Sequence, residues 1–336
     1  MSYPSQPRQN SGCGCGALIA VLIVVAIYSG VRYFINQNSY EKAHAAYERI
    51  DCKTALPQYE SVMNGWHIFD FGGYVGLSQQ EHAACQAYLA AVDKQESGDP
   101  SGSILSYSDF IYNYGGSPLT SDVRNRIRYI IGQTNVETLA NEAFCDQTDY
   151  LEQNGLFPDV DNTLPPLLYQ CGHTYYDSQN YSRAAEVYEQ FLMLYPNHSL
   201  GPEVEDGLAR SIVAGAKGSG AGTIPAPDLS GSSGSGSTVV VIRNDSPNRL
   251  RIAFSGTEGR VEELSACSSC TNYTSIGPIF CPEQGPIGRY TLTPGQYDVV
   301  VQSISDTSVT PWTGTWTLAS GDEYSSCFFL VTTTVP

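Results

Sequence analysis

Cysteine is the residue type whose spacing in this chain could support chemistry. Cys267-x-x-Cys270 is followed by Cys281 and Cys327, and four cysteines can bind a structural Zn²⁺ ion. Cys281 and Cys327 are far apart in the sequence, however, and Cys-x-x-Cys lies in a Ser/Thr-rich stretch rather than at a helix start, where redox-active pairs are found. If this region is exported, we expect these four cysteines to form two disulfide bonds.

Other residue types that carry catalysis form no recognisable arrangement. The five histidines are scattered and form no H-E-x-x-H pair: His44, His67, His82, His173 and His198. The sequence has neither a G-x-S-x-G nucleophile elbow nor a phosphate-binding loop. We therefore predict no enzymatic activity, no catalytic residues, no cofactor and no metal ion.

An apolar run near the N-terminus, Ala17–Val31, contains no charge and no proline. Counted from residue 13 to residue 35, it is long enough as a helix to cross about 30 Å of hydrocarbon. We predict a transmembrane anchor at residues 13–35 and a disordered cytoplasmic tail at residues 1–12. A cleaved signal peptide is the alternative, although the A-x-A pattern typical of a cleavage site is absent.

The orientation of the anchor is predicted from cysteine usage. Of the ten cysteines, those that follow the anchor are even in number, which fits an oxidising compartment. The positive-inside comparison of Arg8 with Arg32, Lys42 and Arg49 leans slightly the other way. We give the cysteines more weight and predict a single-pass membrane protein whose bulk is extracytoplasmic.

The formal net charge of −17 limits the possible partners. Binding to a nucleic acid backbone requires an excess of lysine and arginine, so we predict no nucleic acid partner. The acidic excess can serve solubility alone, and a basic partner is the functional alternative.

Composition divides the rest of the chain into two folded regions. The pattern of residues 36–217 is typical of helices. Residues 218–237 are rich in Gly, Ser and Pro, a composition that is typical of a flexible linker. Residues 238–336 contain short runs rich in Val, Thr and Tyr, which predict strands. The predicted fold class is a multidomain chain with an N-terminal transmembrane helix, an all-α repeat domain and a C-terminal all-β sandwich. The last is antiparallel and resembles immunoglobulin domains in architecture only.

The helical region contains a repeated pattern of small and aromatic residues. It is clearest in Pro165–Pro196, at Gly172, Tyr175, Tyr181, Ala184, Tyr188 and Pro196. This spacing resembles the tetratricopeptide repeat, a family of stacked helical hairpins. Residues 98–114 and 47–63 are weaker copies.

The resemblance implies a concave surface that binds a protein or peptide partner. The predicted function is therefore a membrane-tethered extracytoplasmic scaffold or adaptor with an accessory β-sandwich. The alternative is an envelope-surface sensor or carbohydrate-binding protein whose β domain carries the site, because Trp312 and Trp316 side chains would stack on sugars if they were exposed. The other interpretation of these two tryptophans is core packing, which is usual for tryptophan in small β domains.

Aromatic residues outside the repeat stripe are the candidate partner contacts, because amphipathic rings are favoured at interfaces. They are Trp66, Phe69, Phe71, Tyr74, Tyr112, Tyr169 and Tyr176. The first four lie in a glycine-rich loop, Gly65–Leu77, which could instead plug the first hairpin or contact the bilayer.

Four more cysteines lie in the helical region. Cys52 and Cys85 lie on neighbouring predicted helices, as do Cys145 and Cys171, and such helices can bring two Cα atoms within the roughly 6 Å that a disulfide needs. We predict the bridges Cys52–Cys85 and Cys145–Cys171. Buried thiols are the alternative if this region faces the cytosol.

Overall fold

A computed structural model of the protein describes residues 14–65, 69–234, 236–274 and 276–332. The predicted tail at residues 1–12 and the candidate contact Trp66 lie outside the described residues. The chain divides into two compact units. The first comprises Met1–Asn135 and Gln147–Pro158, and the second comprises Val136–Asp146 and Asp159–Pro336.

Within the described residues from 14 to 218, the regular elements are helices. In chain order they are α1 (Gly14–Glu48), α2 (Cys52–Met63), α3 (Tyr74–Glu96), α4 (Pro100–Tyr114), α5 (Thr120–Gln133), α6 (Val136–Leu139), α7 (Glu142–Cys145), α8 (Thr148–Gln153), α9 (Val160–Asp177), α10 (Tyr181–Leu194) and α11 (Gly201–Gly218). Helices α1–α5 and α8 belong to the first unit, and the others belong to the second.

Helix α1 joins the predicted anchor to the repeat region without a break. By length and composition it is able to cross a membrane, and apolar side chains of its first half, such as Leu22 and Val24, are exposed. Its second half packs against α2 and α3 and buries Ala43 and Tyr47. The domain boundary predicted between residues 35 and 36 therefore falls inside one helix of 35 residues.

Three helical hairpins, α1–α2, α3–α4 and α9–α10, turn in the same way. Two positions before the second helix of each lies a residue with a left-handed backbone, with φ of 65° at Ile50, 81° at Gly98 and 65° at Gln179. The next residue then caps the second helix through its side chain: Asp51, Asp99 and Asn180 accept the N–H of Thr54, Gly102 and Arg183. These are the three segments in which the sequence predicts copies of the repeat.

The C-terminal part of the second unit is a β-sandwich. Its strands are β1 (Gly222–Thr223), β2 (Asp228–Ser232), β3 (Thr238–Asn244), β4 (Leu250–Gly256), β5 (Gly259–Leu264), β6 (Tyr273–Thr274), β7 (Ile287–Leu292), β8 (Gly295–Ser303), β9 (Trp312–Leu318), β10 (Asp322–Phe328) and β11 (Val331–Thr332). One sheet has the order β1-β9-β8-β4-β5 and the other has the order β2-β10-β3-β7, while β6 pairs with β11.

The sandwich departs from the antiparallel arrangement that the sequence predicts. Three pairs are parallel: β1 with β9, β3 with β10, and β6 with β11. Alternating apolar residues of both sheets meet in one core, which includes Phe254, Tyr297 and Trp316. The prediction of a C-terminal β-sandwich is thus confirmed, but its strand directions were predicted wrongly because the partner of a strand is not encoded in its own alternation.

The segment predicted as a flexible linker, residues 218–237, is instead part of the sandwich. It begins with the last residue of α11 and contributes β1 and β2 to the edges of the two sheets. Ile224 is buried in the core, and the carbonyl of Pro225 accepts the indole N–H of Trp316 at 2.9 Å. Edge strands need backbone hydrogen bonds rather than apolar side chains, so a Gly/Ser-rich composition does not exclude them.

The predicted division between a repeat domain at 36–217 and a β domain at 238–336 also differs from the structure. Helices α9–α11 share the second unit with the sandwich, and α11 packs on β4 and β5. Gly259 makes this contact possible, because a Cβ there would lie 2.1 Å from the Cα of Asp206 on α11. Ion pairs add to it, with Lys217 Nζ 2.7 Å from the Asp298 carboxylate.

Candidate interaction sites

The repeat hairpin α9–α10 is closed by a buried tyrosine. The Tyr188 ring lies between two glycines, where a Cβ would approach it within 2.3 Å at Gly172 and 2.6 Å at Gly207 on α11. Tyr59 and Tyr107 occupy the same position in the other two hairpins and are also fully buried. The aromatic stripe therefore forms the interior of the hairpins and leaves partner binding to other residues.

The predicted partner contacts that the structure describes are divided between the two units. In the first unit, Phe69 and Phe71 are exposed beside α1, whereas Tyr74 packs against the rings of Tyr33 and Tyr40. Tyr112, on α4, is 81% exposed.

In the second unit, the two predicted contacts are partly buried. Tyr169 packs edge-to-face on His173, and Tyr176 packs edge-to-face on Tyr181. Of these two, Tyr169 lines an open groove of the unit, so it remains a candidate contact with a cavity beside it.

That groove has a volume of about 760 Å³ and lies entirely within the second unit. One wall is the N-terminal half of α11, from Pro202 to Arg210, together with Tyr169 of α9. The opposite wall is the hairpin between β4 and β5, from Gly256 to Glu262. Helix α11, which follows the repeat hairpin, thus faces a β hairpin across an open cleft, and clefts are common places for a binding site.

The groove is acidic. Five carboxylates line it, Glu203, Glu205, Asp206, Glu258 and Glu262, against the two guanidinium groups of Arg210 and Arg260. The two cations are held by their neighbours, since Arg210 lies 2.7 Å from Asp206 and Arg260 pairs with Glu262. The groove therefore retains an excess of negative charge.

The carboxylates of the groove differ in how firmly they are held. Glu205 accepts the backbone N–H of Val261 at 3.3 Å, and Glu258 accepts the hydroxyl of Thr293 at 2.6 Å. Glu203 lies exposed in the first turn of α11. A negative charge there is favoured by the helix dipole and stays available to a ligand.

A polar cluster in the first unit was not predicted from the sequence. The Glu81 carboxylate of α3 accepts the hydroxyls of Tyr40 and Tyr59 and lies 3.0 Å from His44 Nδ1. Burial and the hydrogen bond to Glu81 raise the pKa of Tyr40 and Tyr59 well above 10. Both phenols therefore stay protonated and donate, so the cluster fastens α1, α2 and α3 together.

The eight cysteines after the apolar run are paired in the structure. Cys52 bonds to Cys85 and Cys145 bonds to Cys171, with Cα atoms 5.2 and 5.6 Å apart. These are the pairs that the sequence predicts. In the sandwich, Cys267 bonds to Cys270 and Cys281 bonds to Cys327.

Three possible metal ligands lie within 4.8 Å of one another: Asp245, Cys281 and Cys327. The two cysteines are bonded to each other and offer no thiolate. The buried Asp245 carboxylate accepts three backbone N–H groups, those of Glu283, Gln284 and Gly285. The donor set suits the fastening of a loop better than the binding of an ion.

The loop that Asp245 fastens exposes a set of apolar side chains, which the sequence reasoning missed. Ile276, Ile279 and Phe280 are 81%, 91% and 83% exposed.

The two tryptophans that suggested carbohydrate binding are not exposed rings on the surface of the β-sandwich. Trp316 is fully buried, and Trp312 packs against the core beside Gly222.

Comparison with known families identifies one part of the chain. Residues 165–198, which span most of α9 and all of α10, match the tetratricopeptide repeat family. The repeat predicted at Pro165–Pro196 is thereby confirmed, and with it a helical hairpin of the kind that mediates protein–protein interaction. No curated protein sequence matches the chain.

Proposed function

We propose that this protein is a single-pass, membrane-tethered extracytoplasmic scaffold that binds a protein or peptide partner through its tetratricopeptide-like repeats. The observation that carries the proposal is the acidic groove beside the matched repeat. It places a candidate aromatic contact, Tyr169, and an exposed carboxylate, Glu203, along one open cleft.

The charge of the groove indicates the chemistry of the partner. A segment rich in lysine or arginine would pair with the carboxylates that local hydrogen bonds leave accessible, Glu203 first among them. The opposite charges also raise the rate of encounter. The β-sandwich has an accessory role in this proposal, since its β4–β5 hairpin supplies one wall.

Site-specific photocrosslinking in native cells tests the groove. p-Benzoylphenylalanine at Tyr169 should capture a partner protein, and Glu203→Lys should abolish the capture because it opposes a basic segment. Two matched controls lie on the same unit. The crosslinker at Met193, which is 74% exposed on α10, should not capture the partner, and Asp228→Lys on exposed β2 should leave capture at Tyr169 intact.

The outcomes separate the parts of the proposal. Capture at Met193 but not at Tyr169 would contradict the groove while keeping a scaffold. Absence of any stoichiometric protein adduct at both positions would contradict the scaffold itself.

The tether and its orientation are supported by the exposed apolar half of α1 and by the four disulfides, which fit an oxidising compartment. Protease added to intact cells should digest the region after α1. Protection of that region until the membrane is opened would contradict the orientation.

A second candidate is a ligand site carried by the β-sandwich itself. Its supporting observation is the apolar loop of Ile276, Ile279 and Phe280, which is fastened by Asp245 and the Cys281–Cys327 bridge. If this loop is the site, replacing Ile279 and Phe280 by serine should abolish capture of the partner. If the groove is the site, capture by the crosslinker at Tyr169 should be unchanged by the same replacement.

A further inference from the structure

An apolar cavity lies between α1 and the loop that precedes α3. It has a volume of about 480 Å³, and its walls are α1 residues between Leu22 and Tyr33 on one side and Phe69 and Phe71 on the other. The two phenylalanines are 59% and 55% exposed, with ring centroids 5.4 Å apart. Together with the exposed face of α1 they form one continuous apolar surface, which marks an interaction site.

Described residues on both sides of the two phenylalanines lie close to α1. Before them, Gly65 lies against the Arg32 guanidinium, which a Cβ at this position would displace. After them, Gly72 has a φ of +90° and lies against Tyr33 and Tyr74. Phe69 and Phe71 are thus exposed between two points at which the chain lies close to α1.

Asp70, between the two phenylalanines, fixes the end of the loop. Its carboxylate accepts the backbone N–H of Val75 at 3.2 Å, in the first turn of α3. The Tyr74 ring then packs on Tyr33 and Tyr40 of α1, with centroids 5.7 and 5.5 Å apart. The start of α3 is thus fastened to α1, and this contact fixes the position of the loop along the axis of α1.

Arg32 indicates the depth in the bilayer at which the loop contacts α1. Arg32 is the first charged residue after the apolar run of α1, and a cation in that position lies at the level of the lipid headgroups. From Arg32 to Leu22 the helix rises about 15 Å, half the thickness of the hydrocarbon of a bilayer. The cavity therefore runs from headgroup level to the depth of one leaflet.

We propose that the Phe69–Phe71 loop is a second membrane contact and that the groove between it and α1 holds a lipid acyl chain. This inference rests on the proposed membrane tether. Irregular backbone is costly in hydrocarbon, so the backbone and Asp70 lie among the headgroups and only the two rings reach deeper. The wall of the groove is the spanning helix itself, and a lipid is the molecule that surrounds such a helix.

Photocrosslinking of the full chain in phosphatidylcholine vesicles tests this assignment. p-Benzoylphenylalanine is placed at Phe69, Phe71, Leu22 or Tyr112, one position at a time, and the adducts are identified by mass spectrometry. Tyr112 is the matched control, since it is an exposed aromatic of the same unit. We expect lipid adducts at positions 69 and 71 as abundant as at position 22, and none at position 112.

Each other result overturns a different statement. Lipid adducts at position 22 but not at 69 and 71 would refute the loop contact and leave the tether intact. Adducts from positions 69 and 71 to a second copy of the chain would show that the groove is a dimer contact. Absence of lipid adducts at position 22 would refute the tether on which the inference rests.

Discussion

The hairpin of the second unit and the two hairpins of the first unit share a turn but fill their interiors differently. Ile50–Asp51, Gly98–Asp99 and Gln179–Asn180 form the three turns, each with a left-handed residue followed by a capping side chain. Eight positions after each cap, Tyr59, Tyr107 and Tyr188 are buried.

The surroundings of these tyrosines are where the units diverge. Tyr59 donates its hydroxyl to Glu81, and Tyr107 donates to Gln95 at 2.9 Å. Tyr188 is instead enclosed by Gly172 and Gly207.

The family match covers only the hairpin that contains Tyr188. In the first unit, Ala43 and Ala91 stand at the position of Gly172 and are buried. The same turn geometry can thus occur with different residues around the buried tyrosine.

The largest expected effect is the loss of unfolding free energy when a disulfide is removed. It shows whether both units depend equally on their disulfides. The bridges Cys52–Cys85 and Cys145–Cys171 close loops with sequence separations of 33 and 26. In the chain-entropy model each should stabilise its unit by about 3–4 kcal/mol. Double cysteine-to-alanine variants, followed by denaturant unfolding of the full chain with hydrogen exchange resolved by peptide, should destabilise one unit at a time.

Non-reducing peptide mapping of protein from native membranes provides the companion measurement. It should recover both pairs. Free thiols at Cys52, Cys85, Cys145 and Cys171 would contradict both the bridges and the extracytoplasmic orientation.

These bridges show what could be predicted from sequence. Helical periodicity places Cys52 and Cys85 on successive helices, and disulfide geometry then limits the choice of partner. The Tyr188 hairpin was predictable for the same reason, because its residues are close in sequence.

The acidic groove was not predictable from the sequence. It depends on Gly259 approaching Asp206, two residues whose proximity is set by the packing of α11 on the sheet. The Glu81 cluster likewise joins three helices. Strands β1 and β2 were missed because their hydrogen bonds come from backbone groups, which the residue types do not reveal.

The next largest effect concerns the packing around Tyr188 inside the α9–α10 hairpin. Gly172→Ala adds a Cβ 2.3 Å from the Tyr188 ring, and Gly207 prevents the ring from moving away. Overpacking should outweigh the gain in helix propensity, for a net loss of roughly 1–2 kcal/mol. The matched control is Gly215→Ala on α11, where a Cβ makes ordinary contact at 3.5 Å and should be neutral or stabilising.

The reverse exchange in the first unit completes this test. Ala91→Gly removes a buried methyl and adds backbone freedom, so it should also cost roughly 1–2 kcal/mol. Both variants are measured by thermal unfolding of the full chain. A gain in stability from Gly172→Ala or from Ala91→Gly would show that the interiors of the two hairpins are interchangeable.

A smaller effect concerns the shared turn. Ile50 has a φ of 65°, where a β-branched side chain is strained, and it is partly exposed. Ile50→Gly should therefore stabilise the first unit by about 1 kcal/mol, and Gly98→Ala should destabilise it by a similar amount. Equal and opposite shifts in the unfolding midpoint would confirm a common turn geometry, whereas a loss of stability in Ile50→Gly would contradict it.

The smallest effect is a pH dependence confined to the second unit. Burial lowers the pKa of His173 below its ordinary value of 6.5, and Arg210 lowers it further, while Asp177 and Asp206 oppose the shift. Between the two pKa values the unfolded chain binds more protons than the folded chain. The contribution of His173 is therefore complete above pH 6.5 and is lost as the pH falls towards the folded pKa. His173→Gln should flatten the stability of the second unit across this interval, and an unchanged slope would assign the pH dependence to other groups.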